Sequence, residues 1–269
     1  MRRLHSLLPH LILMTFSAVI LVPLLWVLRV SLTDKRTAYR LPPEFSALTF
    51  ENYLAVFQDY SFAGWFTNSM TVALAATLIS LPAAATMAYA SARFRTGGPV
   101  LWIGVLAGQM LPPIILVLPM FMLFGTVLSL DGRIAIIVAH VALNLPFMAW
   151  MMTSFFEGDI RSLEEAARVD GASRLQALVR IALPVAAPGI LAAALLGFIL
   201  SWNEFLYALV LGDYSSQTLP VGLAGLETHA GVEIASLAAA ALLALAPVLI
   251  LLPLLRKYLI KGLSLGALK

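Results

Sequence analysis

Six long, predominantly apolar runs constrain this chain before any motif is considered. They lie at about 11–32, 68–91, 99–124, 134–156, 185–211 and 234–255. A bilayer core is roughly 30 Å thick and takes about 20 helical residues to cross. Backbone N–H and C=O groups find no water there, so only helices and closed barrels span it. These runs lack the two-residue alternation of barrel strands and are too long for them. The chain is therefore expected to be all-α: a polytopic membrane protein with six transmembrane helices, forming a single domain over 1–269. Its charged fraction of 12% is about half that of a soluble domain.

The first run follows Arg2 and Arg3, as a secretion signal would. It is too long for a signal core, and Arg29 to Asp34 offers no small-residue cleavage site, so it reads as a retained span. Lys and Arg then set orientation. One side holds Arg2, Arg3, Arg93, Arg95, Arg161, Arg168, Arg174, Arg180, Arg256, Lys257, Lys261 and Lys269, and the other Arg29, Lys35, Arg36, Arg40 and Arg133. Twelve against five places both termini in the cytoplasm. The net charge of +3 follows from that topology, and no basic patch on a folded surface suggests a nucleic-acid partner. There is no cysteine, which excludes disulfides and thiolate metal sites. His5, His10, His140 and His229 lie too far apart for a metal site.

The outer loop at about 33–67 contains Pro42-Pro43 and then Phe50 to Phe57, whose apolar spacing predicts a short interfacial helix. Tyr53, Tyr60, Trp65 and Phe66 suit an aromatic belt there. Ala92 to Pro99 is a basic cytoplasmic turn broken by Gly97-Gly98-Pro99. Prolines interrupt most spans: Pro23, Pro82, Pro112, Pro113, Pro119, Pro146, Pro188, Pro247 and Pro253. Each removes a backbone donor, which serves either a moving gate or simple bends that let helices pack. Runs of alanine at 83–85, 192–194 and 235–246 permit close helix approach. The outer loop at about 212–232 is rich in Gly, Ser and Thr and reads by composition as flexible.

A polar island interrupts this pattern on the basic side, at about 157–184. Residues 162–169 predict a short helix with acids in its first turn, where the helix dipole favours them. Glu164 and Arg168 stand four apart in the favourable order. Asp170-Gly171 ends the helix, since Gly supplies positive φ cheaply. Ser173 caps a second helix. Leu175, Leu178, Val179 and Ala182 give that helix one apolar face, and Pro184 marks its entry into the fifth span. Ala166 and Ala167 leave a smooth surface beside Glu165. The physics alone fits either a docking helix or one resting on lipid headgroups.

Glu165-Ala166-Ala167, Gly171, Ile181, Leu183 and Pro184 together resemble the signature of ABC-importer permease subunits. Asn68-Ser69, Ala88 to Arg93, Asp170 to Ser173, Pro146-Phe147, Trp202 to Phe205 and the tail from Gly262 are similar to the carbohydrate-uptake branch, in particular the smaller permease of maltose-type importers. That family commonly has Pro where Arg161 stands. The resemblance implies the type I importer transmembrane fold in a bacterial or archaeal cytoplasmic membrane. It implies as partners a second permease, two ATPase subunits and an extracytoplasmic solute-binding protein. Glu164, Glu165, Ala166, Ala167, Asp170, Gly171, Ala172 and Ser173 would couple the chain to the ATPase. The outer loop at 212–232 would reach toward the binding protein.

The chain has no G-x-x-x-x-G-K-[ST] loop. It is therefore expected not to bind ATP by that mechanism, and the resemblance implies a transport subunit that binds no cofactor and is not an enzyme, with ATP and Mg held by the partner ATPase. Glu204 is the residue of interest within the spans. A carboxylate near a helix centre costs about 2.5–3.5 kcal/mol on insertion scales, so it should face protein or water. Trp202, Asn203, Glu204 and Asn144 are the candidates for the translocation pathway, against plain helix–helix hydrogen bonding. Gln109 and His140 read as packing residues. A secondary transporter would need repeats or a buried charge network, an intramembrane enzyme a Ser/His pair or paired carboxylates. A polyamine or amino-acid permease is the alternative within ABC importers.

Overall fold

A computed structural model describes residues 2–38, 40, 48–157, 160–228 and 231–266. Pro42-Pro43, His229 and the tail from Ala267 lie outside the described residues. The helices are α1 (Arg2–Ser31), α2 (Glu51–Gln58), α3 (Phe62–Phe94), α4 (Gly98–Met110), α5 (Pro113–Phe121), α6 (Gly132–Phe156), α7 (Ile160–Val169), α8 (Arg174–Ala177), α9 (Leu183–Trp202), α10 (Leu206–Leu211), α11 (Leu219–Ala224) and α12 (Ile234–Gly266). A two-residue-per-strand hairpin, β1 (Glu227–Thr228) and β2 (Gly231–Val232), precedes α12.

Five helices are long and apolar enough to cross a membrane: those over Pro9–Ser31, Phe62–Phe94, Gly132–Phe156, Arg174–Trp202 and Ile234–Lys257. The expected third span is not one helix. It breaks at Leu111-Pro112 into α4 and α5, bent by 88°, and as one broken span the pair makes the sixth crossing. Two consecutive prolines, Pro112 and Pro113, withdraw two donors and clash with the preceding turn. The other span prolines sit inside helices that continue past them.

The chain divides into two compact units. In the unit formed by 1–64 and 222–246, α1 buries none of its side chains from 9 to 26. The expected helix near 50–57 is α2. Its buried Asn52 donates to the carbonyls of Ser31 (2.9 Å) and Thr33 (2.8 Å), satisfying the frayed end of α1. Lys35 pairs with Glu233 at 2.9 Å and holds that carboxyl below the usual range. Burial and the bond to Glu233 push the Tyr60 hydroxyl up to about 12.

The unit formed by 65–221 and 247–269 is organised by α6 and α9, which run antiparallel. On α6 the residues His140, Asn144, Met148, Met152 and Phe156 recur every four positions, and all are buried. On α9 the facing row is Gly189, Ala193, Gly197 and Ser201, also every four, small and buried. Packing one i±4 ridge into another brings the backbones close. A Cβ on Gly189 would lie 2.2 Å from the Phe155 ring, and one on Gly197 would lie 2.8 Å from the Met148 sulfur. Around this seam one cluster joins Ala84, Ala88, Met152, Phe156, Ile160 and Ala186, and another joins Val72, Val117, Ile136 and Tyr207.

Candidate functional site

The polar loop at 160–184 folds as local chemistry dictates. α7 starts at Ile160, two residues earlier than expected. Its end is a Schellman motif: Ala172 N–H bonds the Ala167 carbonyl (3.0 Å), Gly171 N–H bonds that of Arg168 (3.1 Å), and Gly171 takes φ +93°. Ser173 then caps α8 in a full capping box, its Oγ accepting from Gln176 N at 3.2 Å while Gln176 Oε1 accepts from Ser173 N at 2.8 Å. The S-x-x-Q spacing is visible in the sequence.

The ion pairs differ from the expected Glu164–Arg168. Glu164 turns inward, 5% exposed, and pairs with Arg93 in the last turn of α3. Glu165 faces out and accepts from Arg161 Nε at 2.9 Å. That bond holds the Glu165 carboxyl below the usual carboxylate range. Arg161, standing where the resembling family commonly has Pro, thus fixes the Glu165 side chain.

Of the apolar face expected from Leu175, Leu178, Val179 and Ala182, Leu178 and Ala182 pack against the bundle and Leu175 and Val179 do not. Residues Leu178–Ala182 form a π turn, closed by Leu183 N–H to the Leu178 carbonyl. Pro184 has no N–H for the Arg180 carbonyl, and the wider turn relieves its ring. Ala177 and Ala182 are buried on either side of the π turn, while Leu175 and Val179 stay exposed. Leu163 and Val169 (87% exposed) on α7 are uncovered too, as are Glu165, Ala166 and Arg168.

The second candidate region is also a break. The expected fifth span, 185–211, is interrupted at 203–205, where α9 ends and before α10 begins. Asn203 Nδ2 bonds the Ile199 carbonyl at 2.8 Å and closes α9. Glu204 opens α10, its oxygens accepting from Tyr207 N (3.0 Å) and Ala208 N (3.2 Å). Neither Gly nor Pro marks this site. The signal was an amide and a carboxylate able to bond their own backbone.

Glu204 also reaches α6, with Oε2 3.1 Å from His140 Nε2, while His140 Nδ1 lies 2.6 Å from Ser201 Oγ. His140, 1% exposed, is therefore more than a satisfied core residue: it ties both sides of the break to the neighbouring helix. Ser, His and carboxylate stand in a row here. Yet Ser201 is buried and open to no substrate carbonyl. Asn144, a turn along α6, donates to the Gly197 carbonyl at 3.2 Å.

The structure thus brings His140, Ser201, Glu204 and Asn144 to one seam. Trp202 sits beside it with its ring stacked on Phe198 (5.8 Å, 19°) and edge-on to Phe66 (5.3 Å), and it is 3% exposed. Asn203 is the exposed member of the candidate set. Gln109 on α4 donates to the Leu143 carbonyl at 3.1 Å.

The expected flexible loop after α10 begins as a braced turn. Asp213 accepts from Ser215 N, Ser216 N and both hydroxyls at 2.7–2.9 Å, which hold its carboxyl below the usual range. Asn68 Nδ2 donates to the carbonyls of Ser215 and Gln217, each at 2.9 Å, while its Oδ1 accepts from Arg133 at 2.8 Å. Ser69 Oγ accepts from Leu219 N at 2.8 Å.

Residues 87–265 match the family described as binding-protein-dependent transport system inner membrane component. A trehalose/maltose transport system permease protein of Thermococcus litoralis is 34% identical over 258 residues, covering 94% of this chain and 93% of that one. A trehalose transport system permease protein of Mycobacterium tuberculosis is 33% identical, covering 93% and 92%. The fold is similar to a solved bacterial ABC transporter involved in import of the acidic polysaccharide alginate. That likeness has a TM-score of 0.77 over 95% of this chain and 96% of the other, at 24% identity.

Proposed function

The chain belongs to the family of binding-protein-dependent transport system inner membrane components, and on that premise we propose that it imports a carbohydrate, with ATP hydrolysed by a separate subunit bound at residues 160–184. It is the membrane-spanning transport component of an ABC importer and not itself an enzyme. Its sequence relatives that carry trehalose or maltose support a sugar or related carbohydrate as the solute.

One observation carries the coupling role: an ordered helix–turn–helix exposes the apolar side chains of Leu163, Val169, Leu175 and Val179 as well as Glu165 and Ala166. Uncovered apolar side chains interspersed with charged ones suit a groove on a protein partner. The working complex then comprises this chain, a second permease, two ATPase subunits holding ATP and Mg, and an external solute-binding protein. Closure of the ATPases pushes on α7, and the bundle alternates between inward- and outward-facing states. Both termini lie in the cytoplasm. Solute passes near the break at 203–205, where non-helical backbone at membrane depth requires protein or a water-filled cavity around it. Asn203 faces that passage. Glu204 and Asn144 shape its wall, and Trp202 supports them from behind.

The test is Gly171→Pro in the reconstituted complex. It removes the N–H that closes the Schellman turn and forbids φ +93°, without touching the spans. The proposal expects ATP hydrolysis without solute uptake. Full uptake coupled to hydrolysis contradicts it.

A further inference from the structure

We infer that the Arg93–Glu164 ion pair is the positioning element through which α7 moves α3, an inference that rests on the coupling role proposed above. α7 has two faces. Ile160 and Glu164, one turn apart, are buried, while Arg161, Leu163, Glu165, Ala166, Arg168 and Val169 are exposed. A partner pressing on the exposed face must act on the bundle through the buried one. Ile160 sits in the apolar cluster with Phe156 and Ala88. Apolar contacts are non-directional, so that contact permits sliding.

Glu164 permits none. Its side chain is 5% exposed and that of Arg93 is 16% exposed. Separating them would leave two charges largely out of water without each other. Arg93 is itself held: its guanidinium lies 5.9 Å from the Tyr89 ring, and Tyr89 meets Phe156 edge-on at 5.7 Å. Next to it, Phe94 carries the Arg174 guanidinium of α8 at 5.7 Å. The end of α3 is therefore clasped from α6, α7 and α8, with charge at the centre. Glu165 faces the partner, and Glu164 passes the displacement on to α3.

The chain has no cysteine, so Val169→Cys reports docking of the ATPase by crosslinking. In the complete complex in proteoliposomes, Arg93→Gln should lower the solute imported per ATP hydrolysed by about tenfold, a typical coupling factor, while the Val169→Cys crosslink still forms. Reversal of the pair, Arg93→Glu with Glu164→Arg, should restore most of that ratio. A purely structural role would change the amount of assembled complex and leave the ratio per ATP alone. An unchanged ratio in Arg93→Gln overturns the inference, as does a reversed pair that assembles yet stays uncoupled. Absence of the Val169→Cys crosslink in otherwise unaltered protein instead overturns the coupling role beneath it.

Discussion

Glu204 and His140 are joined across two helices, carboxylate Oε2 to imidazole Nε2 at 3.1 Å, at the point where the fifth span is interrupted. The same carboxylate caps α10. It therefore both starts a helix and fastens it. Glu204→Leu deletes the cap and leaves the buried His140 Nε2 without its partner, and should destabilise by about 1–3 kcal/mol. Glu204→Gln keeps an acceptor and should lose far less. Thermal unfolding in nanodiscs measures both. A double-mutant cycle with His140→Leu should show coupling above about 1 kcal/mol.

Gly189 admits no side chain, because a Cβ there would fall 2.2 Å from the Phe155 ring. Gly189→Ala should cost about 1–3 kcal/mol through overpacking. Phe155→Ala in the same chain should recover part of that loss. If the small row on α9 were incidental, Gly189→Ala would be neutral by the same unfolding assay.

The Asp213 turn should depend on pH with a definite sign. The hydroxyls of Ser215 and Ser216 lower its carboxyl below the ordinary aspartate value, which is about 4. A depressed folded value contributes stability that is complete above the unfolded one and lost as pH falls through the folded one. Hydrogen exchange at the Ser215 and Ser216 amides should therefore quicken only below about pH 4, beyond its intrinsic pH trend. Asp213→Asn should abolish that step.

Gly171 adopts φ +93°, and a side chain there costs about 1–2 kcal/mol. Gly171→Ala should lower uptake more than Gly171→Asn, since Asn tolerates the left-handed region. Equal uptake by the two variants would mean the turn is not under that constraint in the working complex.

Local features were legible in the sequence and long-range ones were not. Gly171 and Ser173 announce a turn and a cap because the relevant bonds span a few residues. The spans declare themselves by length and hydropathy, and Pro112-Pro113 was open to reading as a break. The break at 203–205 was not, since Asn203 and Glu204 end and restart a helix without Gly or Pro. The inward turn of Glu164 and the His140–Glu204 bond, 64 residues apart, depend on which helices become neighbours. The π turn at Leu178–Ala182 lay outside a face argument that assumed 3.6 residues per turn, which placed Leu178 and Ala182 inside and missed that Leu175 and Val179 stay exposed.

The most direct measurement is a single-cysteine crosslinking scan of residues 160–175 in the assembled, membrane-embedded complex. The account expects bonds to the ATP-hydrolysing subunit at positions 163, 165, 166 and 169, little at 160 and 164, and protection of the whole segment from impermeant thiol reagents added outside. A segment that never meets that subunit, or that reacts with the external reagent, would contradict it.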